Sequence, residues 1–246
     1  MYLSSVNIKP QKIKNYPFNL PILKNGLSIN FKTPITFILG ENGSGKSTFL
    51  ESLAYNAGFN VLGGNKNHSY TNAEIFDNIK LADEMELKWN LKTSLGFFFR
   101  AESFINFTGY IENLALENGK IAFSPYGGKS LQKLSHGEAF LSLFQNKFKE
   151  GLFILDEPES ALSIERQFAL ISILNQLTNS GKCQFIIATH SPILITMPNA
   201  TVYGIENNSI YEKKYDETKQ FQLYKQFINH PEQFLRHLTK KEPLTD

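Results

Sequence analysis

A chain of 246 residues, 41% hydrophobic and 20% charged, can bury a sizeable core, which excludes a disordered or fibrous class. No run reaches the ~18 consecutive apolar residues of a membrane span, the start MYLSSVNIKP lacks the basic-then-apolar order of a secretory signal, and one cysteine, Cys183, excludes a disulfide framework or multi-cysteine metal site. The net charge is +2, only three of 25 basic residues are arginine, and no run of five like charges exists, so charge alone identifies no nucleic-acid surface. The densest basic stretch, Lys9, Lys12 and Lys14 followed by Lys24, reads as a solvated edge. The expected compartment is the cytoplasm.

In chain order, residues 2–9 partly alternate and predict a strand, 15–25 with two prolines predict a loop, and 27–32 and 35–39 predict strands. The segment ITFIL (35–39) is apolar throughout, as in a strand covered on both faces. It runs into GENGSGKS and a helix with Phe49, Leu50, Leu53, Ala54 and Ala57 on one face, ended by Gly58. Residues 60–95 are more polar and carry the loop signal GGNKNHS, and 95–123 mix short apolar runs with turns. A helix is expected over 138–149, with Phe140, Leu143, Phe144 and Phe148 in phase. Buried strands follow at 151–155 and 184–189, flanking a helix over 163–180. Residues 201–212 predict a hairpin turning at Asn207-Asn208, and 216–242 two short helices, the second opened by Pro231.

Buried apolar strands alternating with helices imply an α/β fold with a mostly parallel sheet flanked by helices, preceded by an antiparallel β part. The expected organisation is one domain over 1–246. An inserted, partly helical lobe is expected at about 60–145 and C-terminal helices over 216–246.

Four segments carry chemistry. Gly40-Glu41-Asn42-Gly43-Ser44-Gly45-Lys46-Ser47, followed by Thr48, is a complete GxxxxGK[ST] between a buried strand and a helix. Its glycines let backbone N–H groups face phosphate oxygens at a positive helix N-terminus. Lys46 then reaches the β- and γ-phosphates and Ser47 reaches Mg²⁺. In GLFILDEP (151–158) the strand ends in two acids: Asp156 is placed for Mg²⁺ and Glu157 for polarising a water as general base. Leu134-Ser135-His136-Gly137-Glu138 has capping-box spacing and opens the next helix, where a small hydroxyl and the Gly137 N–H offer a second anion site. Ala188-Thr189-His190-Ser191-Pro192 ends another buried strand, at the edge where such sheets bind ligands.

This set, in this order, resembles the ABC-class ATPases. Leu134–Glu138 is similar to that family's LSGGQ or LSGGE signature, 22 residues before Asp156, and His190 to its switch histidine. The resemblance covers about residues 1–212, and Glu159-Ser160-Ala161-Leu162 matches the D-loop, which contacts the opposite subunit. It implies ATP and Mg²⁺ as ligands, ATP hydrolysis, and a homodimer formed on ATP binding in which Ser135 and Gly137 act in trans. It also implies a histidine contact near the γ-phosphate. His136 stands where the family usually has glycine, and Glu138 where transporters usually carry glutamine. The Q-loop falls in Phe97–Phe104, where Glu102 or Arg100 occupies the metal- and water-sensing position; Glu102 is the metal candidate, and a core strand with a stray ion pair is the plain alternative. Tyr16, 24 residues before Gly40, is the candidate adenine-stacking ring, with packing in a proline-rich loop the alternative.

The motifs look closer to the soluble branch of SMC, RecF, OLD-type and small AAA/ABC ATPases than to a transporter subunit. The 86 residues between Ser47 and Leu134 hold no sustained heptads, so no long coiled-coil arms are expected there. The expected function is ATP hydrolysis by a dimer that switches an unidentified protein partner, in a repair or phage-defense type of role, with nucleic acid left open. The alternatives are a transporter's nucleotide-binding subunit and an ATP-gated assembly module of negligible turnover.

Overall fold

The computed structural model describes residues 1–10, 15–61 and 79–239. The GGNKNHS segment, Lys12, Lys14 and the last seven residues lie outside these.

The first strand, β1 (Leu3–Ile8), pairs antiparallel with β2 (Leu27–Asn30) on one side and β4 (Glu86–Trp89) on the other. The second sheet is built from β3 (Ile35–Leu39), β5 (Gly96–Arg100), β6 (Gly151–Asp156), β7 (Cys183–Ala188), β8 (Ala200–Glu206) and β9 (Ser209–Lys213), in the order β5-β6-β7-β3-β8-β9. Every pairing in it is parallel except β8 with β9. That hairpin turns at Asn207 and Asn208, both at positive φ, a type I′ geometry that asparagine tolerates.

Strand alternation sorts the apolar residues onto the two faces. Phe37, Phe153, Leu155, Phe185 and Ile187 point to one core and Ile38, Leu152, Ile154 and Ile186 to the other. The second core is closed by α1 (Lys46–Ala57) and the antiparallel sheet. A buried glutamine on β7 locks the two sheets together: Gln184 Oε1 accepts the N–H groups of Tyr2 (2.7 Å) and Leu3 (2.9 Å), while its Nε2 donates to the Leu3 carbonyl (2.8 Å).

The first core is covered by α2 (Phe104–Asn118), α3 (His136–Lys147) and α4 (Ile164–Asn179). Aromatic rings run through it without a break. Phe140, Phe144 and Phe148 of α3 and its end meet at 4.5 and 4.4 Å, Phe148 stacks on Phe153 of β6 at 4.3 Å, and Phe153 on Phe185 of β7 at 5.0 Å. The chain ends in α5 (Lys219–Asn229) and α6 (Pro231–Thr239), with Pro231 opening the latter.

Two expectations change. The stretch 60–145 is not one inserted lobe: β4 belongs to the antiparallel sheet and β5 is the edge strand of the main one, so among the described residues only the segment from α2 to the start of α3 is inserted. Within 95–123, expected as short runs and turns, Phe104–Asn118 is a 15-residue helix. Its Phe104, Phe107 and Ile111 are buried on the aromatic core, and that packing overrides the poor helix propensity of its aromatic and β-branched residues and Gly109.

Candidate functional site

The loop Gly40–Gly45 joins β3 to α1, and Gly45 caps the helix at φ 100°, a left-handed backbone that only glycine enters cheaply. A Cβ there would also meet Ile22 at 2.9 Å. Lys46 curls back over the loop, its Nζ donating to the carbonyls of Gly40 (2.9 Å) and Glu41 (3.2 Å). Burial lowers its pKa, opposed by the carboxylates of Glu157, Asp156 and Glu159. Lys46 is therefore within electrostatic reach of the acidic strand end.

Asp156 ends β6, 4% exposed. It is hydrogen-bonded to the Ser47 side chain, while its Oδ1 is buried with no hydrogen-bond partner. Burial pushes its pKa up to about 7, and the Ser47 hydrogen bond and the Arg100 charge pull against this. A buried carboxylate oxygen without a partner, beside a serine hydroxyl, is the hard-oxygen donor set that Mg²⁺ prefers. The residues present thus fit a divalent cation held by Ser47 and Asp156.

Glu157, the next residue, has φ 49° and ψ 53°, left-handed for a non-glycine residue. Its N–H donates to the Ala188 carbonyl (3.0 Å), which anchors it to β7. Its Oε1 lies 3.4 Å from Nε2 of His190, within ion-pairing distance but without hydrogen-bond geometry, and Nε2 has no hydrogen-bond partner. His190 is fixed by its backbone, whose N–H donates to Oε1 of Glu159 at 2.6 Å, and by Thr189, whose N–H donates to the Ile38 carbonyl (3.2 Å). Ser191 closes the turn beyond, accepting from the N–H groups of Ile193 and Leu194 at 3.1 Å each.

Ser135 is the N-cap of α3. Its N–H and hydroxyl both donate to Oε2 of Glu138, at 2.9 and 2.6 Å, which closes the capping box and lowers the Glu138 pKa. His136, the departure from the signature, sets its ring edge-on to Phe104 of α2 at 5.2 Å. Gly137 is there for closeness: a Cβ would come within 2.5 Å of Arg166 Nη1 and 3.1 Å of the Ala161 carbonyl oxygen. Arg166 in turn lies 3.6 Å from Glu138. The contacts of Ser135 and Gly137 run to Glu138, Arg166 and Ala161, and among the described residues none joins them to Lys46, Ser47 or Asp156.

Tyr16 lies beside the first turn of α1. Its hydroxyl is 3.0 Å from that of Thr48, and the residue is 45% exposed. Glu102 does not enter the Ser47–Asp156 cage. Its exposed carboxylate takes Arg100 Nη2 at 2.8 Å, and Arg100 is the register partner of Asp156. Arg100 Nη1 reaches Oε1 of Glu51 at 2.5 Å, and Glu51 is 1% exposed on α1. The partnership of Glu51 with Arg100 and the place of Arg166 against Gly137 are not read from the sequence. The available signal is an acid flanking the apolar face of α1 and one of only three arginines, Arg100, falling inside the Phe97–Phe104 segment. No group of three or more His, Cys, Asp or Glu side chains able to hold a metal on their own occurs among the described residues.

Residues 132–196, which hold the signature, acidic strand and histidine, match the family described as "AAA domain, putative AbiEii toxin, Type IV TA system". The chain is 28% identical over 229 residues to the lipoprotein-releasing system ATP-binding protein LolD of Buchnera aphidicola subsp. Acyrthosiphon pisum, covering 80% of this chain and 92% of that protein. It is 26% identical over 245 residues to protein McbF of Escherichia coli, covering 92% of this chain and 91% of that one. Among solved structures, the ADP conformation of MJ1267, an ATP-binding cassette of an ABC transporter, superposes with a TM-score of 0.51 at 15% identity, covering 98% of this chain and 100% of that one. With the phosphate loop, the Leu134–Glu138 segment, the acidic strand and the histidine arrayed on this fold, the chain is similar to the ABC-class P-loop ATPases.

Proposed function

We propose that the chain is a single Mg²⁺-dependent ATPase domain that closes on ATP as a homodimer and thereby switches a partner protein. The observation that carries this reading is the pairing of two carboxylates with two different neighbours. Asp156 is buried on Ser47 with one oxygen unpartnered, and Glu157 stands 3.4 Å from His190. In this reading Lys46 leaves the Gly40 and Glu41 carbonyls to bind the β- and γ-phosphates, together with the backbone N–H groups of the loop over Glu41–Thr48. Ser47 and Asp156 hold Mg²⁺, which when bound neutralises phosphate charge. Glu157 orients the water for in-line attack on the γ-phosphoryl group and accepts its proton at the carboxylate. His190 Nε2, free of a hydrogen-bond partner, is available to the γ-phosphate region. Tyr16 stacks on the adenine, and Ser135 and Gly137 meet the ATP of the opposite subunit.

The family match over residues 132–196, described by a putative toxin of a type IV TA system and not by transport, supports this first reading. The second reading, a transporter's nucleotide-binding subunit, is favoured by relatives such as LolD and the zinc import ATP-binding protein ZnuC of Buchnera aphidicola subsp. Baizongia pistaciae, 27% identical over 205 residues, covering 76% of this chain and 80% of that protein. Purification with the ATP-trapped Glu157→Gln variant separates them. A polytopic membrane protein as the retained partner overturns the first reading, and a non-membrane partner supports it. ATP turnover no faster in the wild type than in Glu157→Gln would remove Glu157 as the base.

A further inference from the structure

The short 3-10 turn Pro158–Ala161 touches three parts of the site at once. Ser160 donates to the Glu157 carbonyl from both its N–H (3.2 Å) and its hydroxyl (2.9 Å). The Ala161 carbonyl oxygen lies against Gly137 at the start of α3. Glu159 sends its carboxylate inward instead of to solvent, where Oε1 takes the His190 N–H at 2.6 Å and Oε2 is buried without a hydrogen-bond partner. A carboxylate next to solvent that is turned in loses hydration, and the hydrogen bonds that offset this come from the His190 N–H, its own backbone and the Thr189 side chain, so they tie it to the strand end that carries His190.

From this geometry we infer that Glu159 is a positioning residue for His190, tying the histidine's backbone to the turn that also contacts Glu157 and the signature glycine. The inference rests on the ATPase reading above. A shift of the turn then moves His190 relative to Glu157, so the histidine is correctly placed only when the turn is seated. Glu159 touches no reacting atom in this account. What it needs is an oxygen acceptor at the reach of a glutamate side chain, not a charge.

The test follows from that distinction. Steady-state ATP hydrolysis is measured for the wild type, Glu159→Gln, Glu159→Asp and Glu157→Gln, with thermal melting as a check of folding. Glu159→Gln keeps an oxygen at the same reach and is expected within about threefold of the wild-type kcat. Glu159→Asp keeps the charge but falls one carbon short, and is expected to lose kcat on the order of tenfold to a hundredfold with KM for ATP within about twofold, since small misplacements of a reacting group cost rates of that size. In a His190→Ala background, Glu159→Asp should cause no further loss. Retained activity in Glu159→Asp with loss in Glu159→Gln makes the charge the operative property and overturns the inference. Equal loss in both, or full activity in both, overturns it as well. Wild-type turnover equal to that of Glu157→Gln is a different result: it fails the ATPase mechanism itself and not the role of Glu159 alone.

Discussion

Arg100 and Glu51 form an ion pair of 2.5 Å between the edge strand β5 and the phosphate-loop helix α1, and the Glu51 side chain is only 1% exposed. The arginine is spanned between two acids, Glu51 within the protein and Glu102 at its surface, and its charge also acts on Asp156. Replacing it by methionine removes the arginine charge from a buried carboxylate. Breaking a buried pair from one side costs about 3–5 kcal/mol, so about 2–4 kcal/mol is expected here because Arg100 keeps some water contact. Urea unfolding at an unchanged slope is the measurement, and restoring part of the loss with Glu51→Gln in the same chain would identify the buried charge as the cause.

Asp156 sets a pH dependence whose sign is fixed by its environment. Its folded pKa, about 7, lies above the ordinary carboxylate value, so the folded protein binds the proton more tightly than the unfolded chain does. Its contribution to stability is fully present below the unfolded pKa and is lost as pH rises through 7. Thermal melting without nucleotide or metal should therefore fall across pH 5 to 8 more in the wild type than in Asp156→Asn. Mg²⁺ competes for the same oxygens, so its apparent affinity should increase with pH up to about 7 and level off above it. A flat Mg²⁺ titration from pH 6 to 8 would show that Asp156 is not the ligand.

Glu157→Gln keeps the shape of the residue and removes its basicity. Loss of a general base costs typically 10²–10⁴-fold in turnover. ATP should then accumulate on the protein and double its mass in light scattering. A mass unchanged by ATP and Mg²⁺ would count against the sandwich arrangement.

Gly137→Ala tests the signature from the other side. The added methyl group would meet Arg166 Nη1 at 2.5 Å and Cδ at 2.8 Å, and the Ala161 carbonyl oxygen at 3.1 Å. The arginine can swing away but the carbonyl is backbone, so the start of α3 must shift. Turnover is expected to fall about tenfold while ATP binding by the isolated subunit, which uses the phosphate loop, stays unchanged. Arg166→Ala in the same chain frees room for the methyl group and should recover only the part of the loss due to the arginine clash.

Much of this was legible in local spacing. ITFIL, GLFIL and QFIIAT are buried strands because their apolar residues are continuous, and Asn207-Asn208 turns the β8–β9 hairpin as its type requires. The order of the four motifs likewise placed Lys46, Asp156, Glu157 and His190 at neighbouring strand ends, where a parallel sheet gathers them. What local spacing could not show was partnership across distance. The helix Phe104–Asn118 owes its form to the aromatic core beneath it, and β4 takes its place by pairing with β1, whose residues lie some eighty positions earlier in the chain. The same holds for Glu102. Its place directly after the apolar run of β5 follows from the sequence, yet its partner is decided by Arg100, which Glu51 draws to the sheet edge.

The left-handed backbone of Glu157 has a consequence for how the acidic pair works. Adjacent residues in an extended strand point to opposite faces, and continuing β6 by one step would have turned Glu157 away from Asp156's surroundings in the ordinary alternating way. The φ of 49° sends it sideways instead, toward the loop after β7. Such a backbone costs about 1–3 kcal/mol and persists only under restraint from its surroundings, here the bonds to the Ala188 carbonyl and from Ser160. Two neighbouring carboxylates thus acquire distinct tasks through one dihedral angle. The same DEPE tetrapeptide, cut from its sheet, would carry the letters of the site without its division of labour.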